Sequence, residues 1–224
     1  MPAGSPEDWK TWRKQERARL LTARLAISDG DHARWSSAIT ASLIQGFAQL
    51  CTMTVGLYWP FQREFDPRHA MLHFRKSGAR AALPVVTGKG VPLTFRQWWP
   101  GVAMTRGVFD LPMPDGTEVV QPQALLMPPV GFDSAGFRLG YGGGYFDRTL
   151  AAMAPQPLKI GLAFELSRMS TIHPQPFDIP MDFVITEAGI HAGTDGKLCP
   201  LANAAECTAH LAGIICERGW STHA

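Results

Sequence analysis

The sequence predicts an α/β fold: a single three-layer α/β/α domain, doubly wound around a mainly parallel sheet. Three observations carry that expectation. Short β-rich apolar runs alternate with amphipathic helical stretches, which is the order of a parallel sheet covered on both faces. Apolar residues make up 46% and charged residues 18% of 224 residues, enough to bury a core in one domain. The run Gly136 to Arg148 passes from an apolar strand through a cluster of glycines into a helix, a strand-to-helix turn of the kind such folds place at their sites.

In order, Pro6 to Ile27 reads as an amphipathic helix, with Leu20, Leu21 and Leu25 on one side and basic residues on the other. Ser28-Asp29-Gly30-Asp31 breaks it, and a second helix runs to about Leu50 with Trp35, Ile39, Leu43, Ile44 and Phe47 at helical spacing. Thr52 to Trp59 is a strand, Pro67 to Ser77 a helix opened by Asp66, and Arg80 to Thr87 a strand again. From Gly88 to Gln123 the chain is rich in Pro, Gly and Trp, which predicts a hairpin and loop excursion over the sheet edge. Ala124 to Val130 resumes the sheet; a helix from Tyr145 to Met153 follows, then strands Lys159 to Phe164 and Asp182 to Thr186, and a terminal helix from Pro200 to Arg218. Residues 6–195 form the α/β domain, and 196–224 a helical C-terminal extension.

Composition narrows the function. A net charge of +2 gives no support to a nucleic-acid partner, although Lys10, Arg13, Lys14, Arg17, Arg19 and Arg24 crowd one segment. No apolar run approaches the roughly 18–20 residues that span a bilayer, and Met1 to Arg19 lacks the apolar core of a secretory signal, so the expectation is a cytoplasmic protein without a membrane partner. Cys51, Cys199, Cys207 and Cys216 contain no CxxC pair, which argues for free thiols.

The chemistry is expected at Arg138-Leu139-Gly140-Tyr141-Gly142-Gly143-Gly144-Tyr145-Phe146-Asp147-Arg148. Glycines bring backbone amides close to phosphate oxygens, and the helix that follows adds unpaired N–H groups at a positive dipole end. Arg138 and Arg148 flank the loop with charge, and Asp147 offers a hard oxygen to the Mg²⁺ that accompanies ATP. The spacing is neither the Walker A pattern, which needs Lys-Ser/Thr after its last glycine, nor GxGxxG, because Tyr145 stands where the last glycine would be. Residue chemistry therefore stops at a phosphate-binding loop.

This run resembles the signature of the 5-formyltetrahydrofolate cyclo-ligase family, RLGYGGGYYDR in bacterial members, with Phe146 as the one difference. The resemblance extends in order from about Trp12 to Gly189. It implies the three-layer fold shared with sugar-phosphate isomerases and CoA-transferases (NagB/RpiA/CoA-transferase-like), and an ATP- and Mg²⁺-dependent conversion of 5-formyltetrahydrofolate to 5,10-methenyltetrahydrofolate. It implies ATP contacts from Arg17, from Arg13 or Lys14 as its basic partner, and from Arg138 to Phe146; a register that promotes Lys10 stays open, and a solvated basic face would account for the same cluster. Trp59 and Glu64 would hold the folate, since a pterin stacks on an aromatic ring and donates N–H groups to a carboxylate. Tyr141 and Tyr145 would touch both ligands, with Arg138 and Tyr145 beside the reacting phosphoryl group. Val108 to Pro114 resembles a short passage beside the family's substrate cleft, from which Asp110 departs. His173 to Asp182 resembles a segment whose last Asp, here Asp182, is a second metal contact beside Asp147; for Asp178 and His173 loop hydrogen bonding is the expectation.

The expected partners are ATP and 5-formyltetrahydrofolate, free or polyglutamylated, and the expected state is a monomer. Rival expectations are a non-catalytic nucleotide- or folate-binding homologue on this scaffold, an isomerase or CoA-transferase needing no ATP, and a nucleic-acid binder using the first helix.

Overall fold

A computed structural model describes residues 8–219. In chain order the helices are α1 (Asp8–Leu25), α2 (Asp29–Gly46), α3 (Arg68–Lys76), α4 (Tyr145–Ala152) and α5 (Ala204–Glu217). The strands are β1 (Thr54–Gly56), β2 (Arg80–Val85), β3 (Thr94–Trp98), β4 (Met104–Arg106), β5 (Pro112–Pro114), β6 (Val119–Val120), β7 (Ala124–Met127), β8 (Gly131–Asp133), β9 (Arg138–Leu139), β10 (Leu158–Leu162), β11 (Arg168–Met169), β12 (Phe183–Thr186), β13 (Gly189–Thr194) and β14 (Lys197–Pro200).

Nine strands form the central sheet in the order β14-β13-β12-β10-β7-β1-β2-β3-β6. Its middle five strands are parallel, and β3–β6 and β13–β14 add antiparallel pairs at the two edges. Alternation along the strands divides the core. Ala124 and Leu126, with Val55, Leu83, Ile160 and Ile185, face Ile39, Leu43 and Phe47 of α2, Met71 and Phe74 of α3, and Leu211 and Ile215 of α5. Leu125, Met127, Ala82 and Val184 face the other way, onto Leu150 of α4. Both faces are thus covered by helices, which is why these strands carry apolar residues in succession instead of alternating with polar ones.

Sequence and structure agree on the order of elements and differ at their ends. The expected helix start at Pro6 lies outside the described residues. The second helix stops at Gly46 rather than Leu50, where a short 3-10 turn, Ala48–Thr52, takes over. The Gly88–Gln123 excursion is two hairpin-like additions: β3 and β6 extend the sheet, while β4 and β5 pair with each other apart from it. The C-terminal extension is a strand and a helix rather than a helix alone, and β14 pairs through β13 to the edge of the sheet.

Read along the sheet, the five parallel strands run second, first, third, fourth, fifth in sequence order. The chain therefore reverses direction of growth between β1 and β7, and a crevice opens beyond the carboxyl ends of those two strands. The segment after β1 carries Trp59 and Glu64, and the segment after β7 leads through the β8–β9 hairpin to the glycine loop. The fold thus delivers the two stretches singled out in the sequence to one place.

Close packing in this centre leaves no room at Gly56 of β1, where an added Cβ would stand 2.5 Å from Leu125 Cδ2 and 2.9 Å from the Phe95 ring. Gly56→Ala is therefore expected to cost about 1–3 kcal/mol of stability by overpacking, read as a lower urea midpoint at unchanged m value.

Candidate active site

The glycine loop begins where β9 ends and closes with Gly144 in the left-handed region (φ 63°) as the cap residue of α4, with no side chain capping the helix. Gly142 is also left-handed (φ 95°), a conformation that a side chain would strain. Among the described residues, no protein acceptor takes a hydrogen bond from the backbone N–H of Tyr141, Gly142, Gly143 or Gly144. Four amides and the uncapped first turn of α4 are thus left without protein acceptors on one loop, the condition of an anion-binding turn.

Basic side chains approach this loop from two helices. Arg17 of α1 donates from Nε to the Gly140 carbonyl at 2.6 Å and lies against Gly142. Burial lowers its pKa, as does the neighbouring Arg13 charge, so Arg17 is a cation still in want of negative charge. Arg148 donates to the Gly143 carbonyl and stands over the Tyr145 ring, 5.2 Å from its centroid. Tyr145 covers Gly143 and meets the exposed Phe109 ring edge-on at 6.2 Å.

The folate-side residues join the same loop. Tyr141 hydroxyl donates to Glu64 Oε1 at 2.7 Å, and Glu64 Oε2 accepts the Phe61 N–H at 2.9 Å. Gln62 (φ 47°) and Arg63 (φ 58°) are consecutive left-handed residues without being glycine, and they turn the chain so that Glu64 faces inward. Burial raises the Glu64 carboxyl to about 7 against the opposing pull of Arg24, of the Tyr141 hydroxyl and of the Phe61 N–H. Burial, with Glu64 next, likewise raises the Tyr141 phenol, which stays a donor. Trp59 is half-buried against the core, with the Arg68 guanidinium 4.1 Å from its ring centroid.

Other sequence candidates occupy different places. Arg13 is buried and bound to the Ile172 and His173 carbonyls (3.0 Å each) and to Asp178, so it anchors α1 to the 172–178 loop instead of facing the glycine amides. Lys14 is exposed. Arg138 is buried: it donates to the Ile179 carbonyl at 2.7 Å and to Asp147 Oδ1 at 2.6 Å, and burial lowers its pKa despite the Asp147 and Asp178 charges. It thereby fixes Asp147 rather than reaching into the crevice. Leu139 is core, and the Phe146 ring packs on the α4 side of the sheet, 6.0 Å below Arg138.

The expected carboxylate pair is not what the structure brings together. Asp182 precedes β12, at the amino end of the parallel strands, and its oxygens are taken by Lys159 Nζ (2.9 Å), Arg218 (2.7 Å) and the Lys159 N–H (2.8 Å). Asp147 instead accepts the Ile179 N–H at 3.2 Å, which sets Asp178, the preceding residue, beside the Asp147–Arg138 pair. Asp178 does make the expected loop hydrogen bond, from Gln175 N–H at 2.7 Å, but it also pairs with Arg13. Among the described residues, no group of three or more His, Cys, Asp or Glu could by itself hold a metal ion. A Mg²⁺ that arrives on a nucleotide needs only one or two carboxylates. Asp147, whose contacts fall on Oδ1, fits that need; Asp182 is held by Lys159 and Arg218, and Asp178, close to Asp147, is held by Arg13.

Sequence reading gave Arg24 no role beyond the basic cluster, gave Asp178 only a loop hydrogen bond, and gave Phe61 no role. Arg24 is 3% exposed and touches both Tyr141 and the Glu64 loop, and Phe61 approaches the Tyr141 ring at 6.1 Å.

A sequence model of the 5-formyltetrahydrofolate cyclo-ligase family matches residues 9–187. The 5-formyltetrahydrofolate cyclo-ligase of Mycolicibacterium smegmatis is 32% identical over 182 residues, covering 78% of this chain and 93% of that protein. The enzyme of the same name from Mycoplasma pneumoniae is 27% identical over 173 residues, covering 76% and 96%. Among solved structures, the Aquifex aeolicus 5,10-methenyltetrahydrofolate synthetase superposes with a TM-score of 0.70 at 26% identity, over 85% of this chain and 97% of that one. A Mycoplasma pneumoniae synthetase shares the fold, with a TM-score of 0.65 at 23% identity over 78% and 98%. The described residues beyond 187, which form β13, β14 and α5, lie outside the stretch that the family model matches.

Proposed function

The chain belongs to the 5-formyltetrahydrofolate cyclo-ligase family, and on that premise we propose that it converts 5-formyltetrahydrofolate to 5,10-methenyltetrahydrofolate with ATP, releasing ADP and phosphate. The observation that carries this reading is the Tyr141–Glu64 hydrogen bond, which sets a buried carboxylate suited to a pterin against a loop whose open amides suit a triphosphate. The formyl oxygen on N5 attacks the γ-phosphorus, the bond from phosphorus to the ADP oxygen breaks, and N10 then adds to the activated formyl carbon. N10 gives up its proton, the phosphorylated oxygen leaves as phosphate, and the methenyl bridge remains. No side-chain nucleophile is required, so the protein's part is to align the two substrates and stabilise charge growing on phosphoryl oxygens.

Each residue's share follows from its place. The Gly140–Gly144 amides and the α4 N-terminus hold phosphate oxygens, Arg17 and Arg148 balance their charge, and the Tyr145 ring closes one side. Arg138 acts through Asp147, holding it in place, instead of touching the phosphoryl group. Glu64 accepts pterin N–H groups, and Trp59, Phe61 and Tyr141 supply ring surface. Mg²⁺, brought by ATP, would be held by Asp147 with Asp178 nearby and would offset charge on the β- and γ-phosphates. The free state of Cys51, Cys199, Cys207 and Cys216 accords with a cytoplasmic site of action, and no described helix is long and apolar enough to cross a membrane.

The test is the rise of methenyltetrahydrofolate absorbance when the protein meets 5-formyltetrahydrofolate and ATP, with and without Mg²⁺. Product that requires both ATP and Mg²⁺ is expected; binding of either substrate without product would instead favour a non-catalytic homologue on this scaffold. A charge-assisted hydrogen bond contributes about 1.5–3 kcal/mol. Arg17→Met is accordingly expected to raise the KM for ATP roughly 10- to 100-fold and to leave that for the folate within about twofold.

A further inference from the structure

Arg17 and Arg24 stand seven residues apart on α1, two turns along one face. Arg17 reaches the backbone of the glycine loop, and Arg24 reaches that loop's one long side chain pointing back to the folate side. Arg24 Nη2 donates to the Tyr141 hydroxyl at 2.6 Å, its Nε donates to the Gln62 carbonyl at 3.0 Å, and the guanidinium lies 3.8 Å from Glu64 Oε1. Its side chain is 4% exposed and that of Glu64 3%. A solvated basic face would leave such an arginine in water; here one guanidinium joins α1, the strained Gln62–Arg63 turn and the glycine loop around a single buried carboxylate.

We propose that Arg24 is a positioning residue of the folate subsite, holding the Glu64 carboxylate in the direction and charge that receive the substrate's N–H donors. This rests on reading Glu64 as the folate acceptor. The groups facing that carboxylate are Arg24 from α1, Tyr141 from the glycine loop and Tyr58 from its own segment, with Asp66 acting on Tyr58. Tyr58 is held by the Phe65 carbonyl at 2.8 Å, and Asp66 is paired with Arg68 at 2.6 Å. Arg63 points away, to Asp29 and the Ile27 carbonyl. Arg24 is therefore the cation nearest Glu64, and the other groups are anionic or uncharged.

The experiment compares the parent enzyme with Arg24→Gln, Arg24→Lys and Glu64→Gln in steady-state kinetics across pH, alongside thermal melting. Arg24→Gln should raise the KM for 5-formyltetrahydrofolate roughly 10- to 100-fold and leave that for ATP within about twofold. In the parent, kcat/KM for the folate should climb with pH through about 7 as Glu64 ionises. In Arg24→Gln that limb should move upward by about one pH unit, the cation that favours the carboxylate being gone. Arg24→Lys keeps the charge and loses the fork, so its limb should stay near the parent's while KM rises in part. It also serves as the test variant if Arg24→Gln does not fold.

An unchanged folate KM and pH limb in the Arg24 variants, with Glu64→Gln impaired, overturns the proposal alone. KM values for ATP and folate rising together with a lowered melting point would make Arg24 a structural strut and overturn it too. If Glu64→Gln binds folate like the parent, the reading of Glu64 falls and the proposal with it.

Discussion

Asp147→Asn is expected to lower kcat for ATP-driven ring closure roughly 10²- to 10³-fold, several kcal/mol of charge stabilisation being lost with the carboxylate. The substitution isolates charge from shape. An asparagine carbonyl in place of Oδ1 still accepts the Arg138 guanidinium and the Ile179 N–H, so α4 stays tied to the 172–182 segment. Asp147→Ala would leave Arg138 buried without its partner and mix an unfolding penalty into the result. Absorbance of the methenyl product reports the rate, and titration with Mg²⁺ reports whether the loss is partly recovered at high metal. Turnover near the parent's would take Asp147 out of the metal reading and leave it as a brace for Arg138.

Asp182→Ala should behave in the opposite way. Lys159 and Arg218 are both largely buried against this one carboxylate, with side chains 9% and 17% exposed. Removing it strands Lys159, whose pKa burial already lowers even with Asp182 in place, whereas Arg218 keeps the Pro157 carbonyl at 2.6 Å. The expected cost is on the order of 3 kcal/mol in denaturant unfolding, with kcat and the Mg²⁺ requirement of the folded enzyme retained. A variant of full stability that needs far more Mg²⁺ would instead return Asp182 to the metal site. The two carboxylates thus separate cleanly, one by rate and the other by stability.

The contrast shows what the sequence could and could not carry. The glycine loop was legible because its amides work through backbone geometry, and glycine is the residue that announces such geometry. Glu64 was singled out only through the family resemblance of the run Trp59 to Asp66, and nothing in that run announces two left-handed residues at Gln62 and Arg63. The choice between Asp178 and Asp182 was not legible. Four positions separate them, and only the course of the chain into β12 decides which carboxylate meets Arg13, one residue before the Ile179 N–H that reaches Asp147, and which meets Lys159. Arg13 and Arg24 read alike as members of a basic cluster, yet one is a tether to the 172–178 loop and the other sits beside Glu64. Charge is local in sequence, while burial is a property of partners from about forty to more than a hundred residues away.

The β13–β14 hairpin was missed for a related reason: Gly189, Gly193 and Gly196 punctuate it, and such punctuation reads as loop until a neighbouring edge strand, here β12, supplies hydrogen bonds. By contrast the parallel strands were found to within a few residues, since apolar runs between turns need no partner to be recognised.

The attachment of α1 to the rest of the molecule has a consequence for how the enzyme comes into being. Arg17 meets Gly140, and Arg13 meets Ile172, across separations of 123 and 159 residues. On a ribosome adding about 5–20 residues per second, the first helix waits roughly ten to thirty seconds for the last of these partners to be made. For most of that interval the basic face of α1 lacks the glycine loop to dock on, and until its end it lacks the Ile172 carbonyl. Ligand competence is then a late event in biogenesis, arriving with the final third of the polypeptide, and a nascent chain stalled before Ile172 would hold core strands without a working crevice.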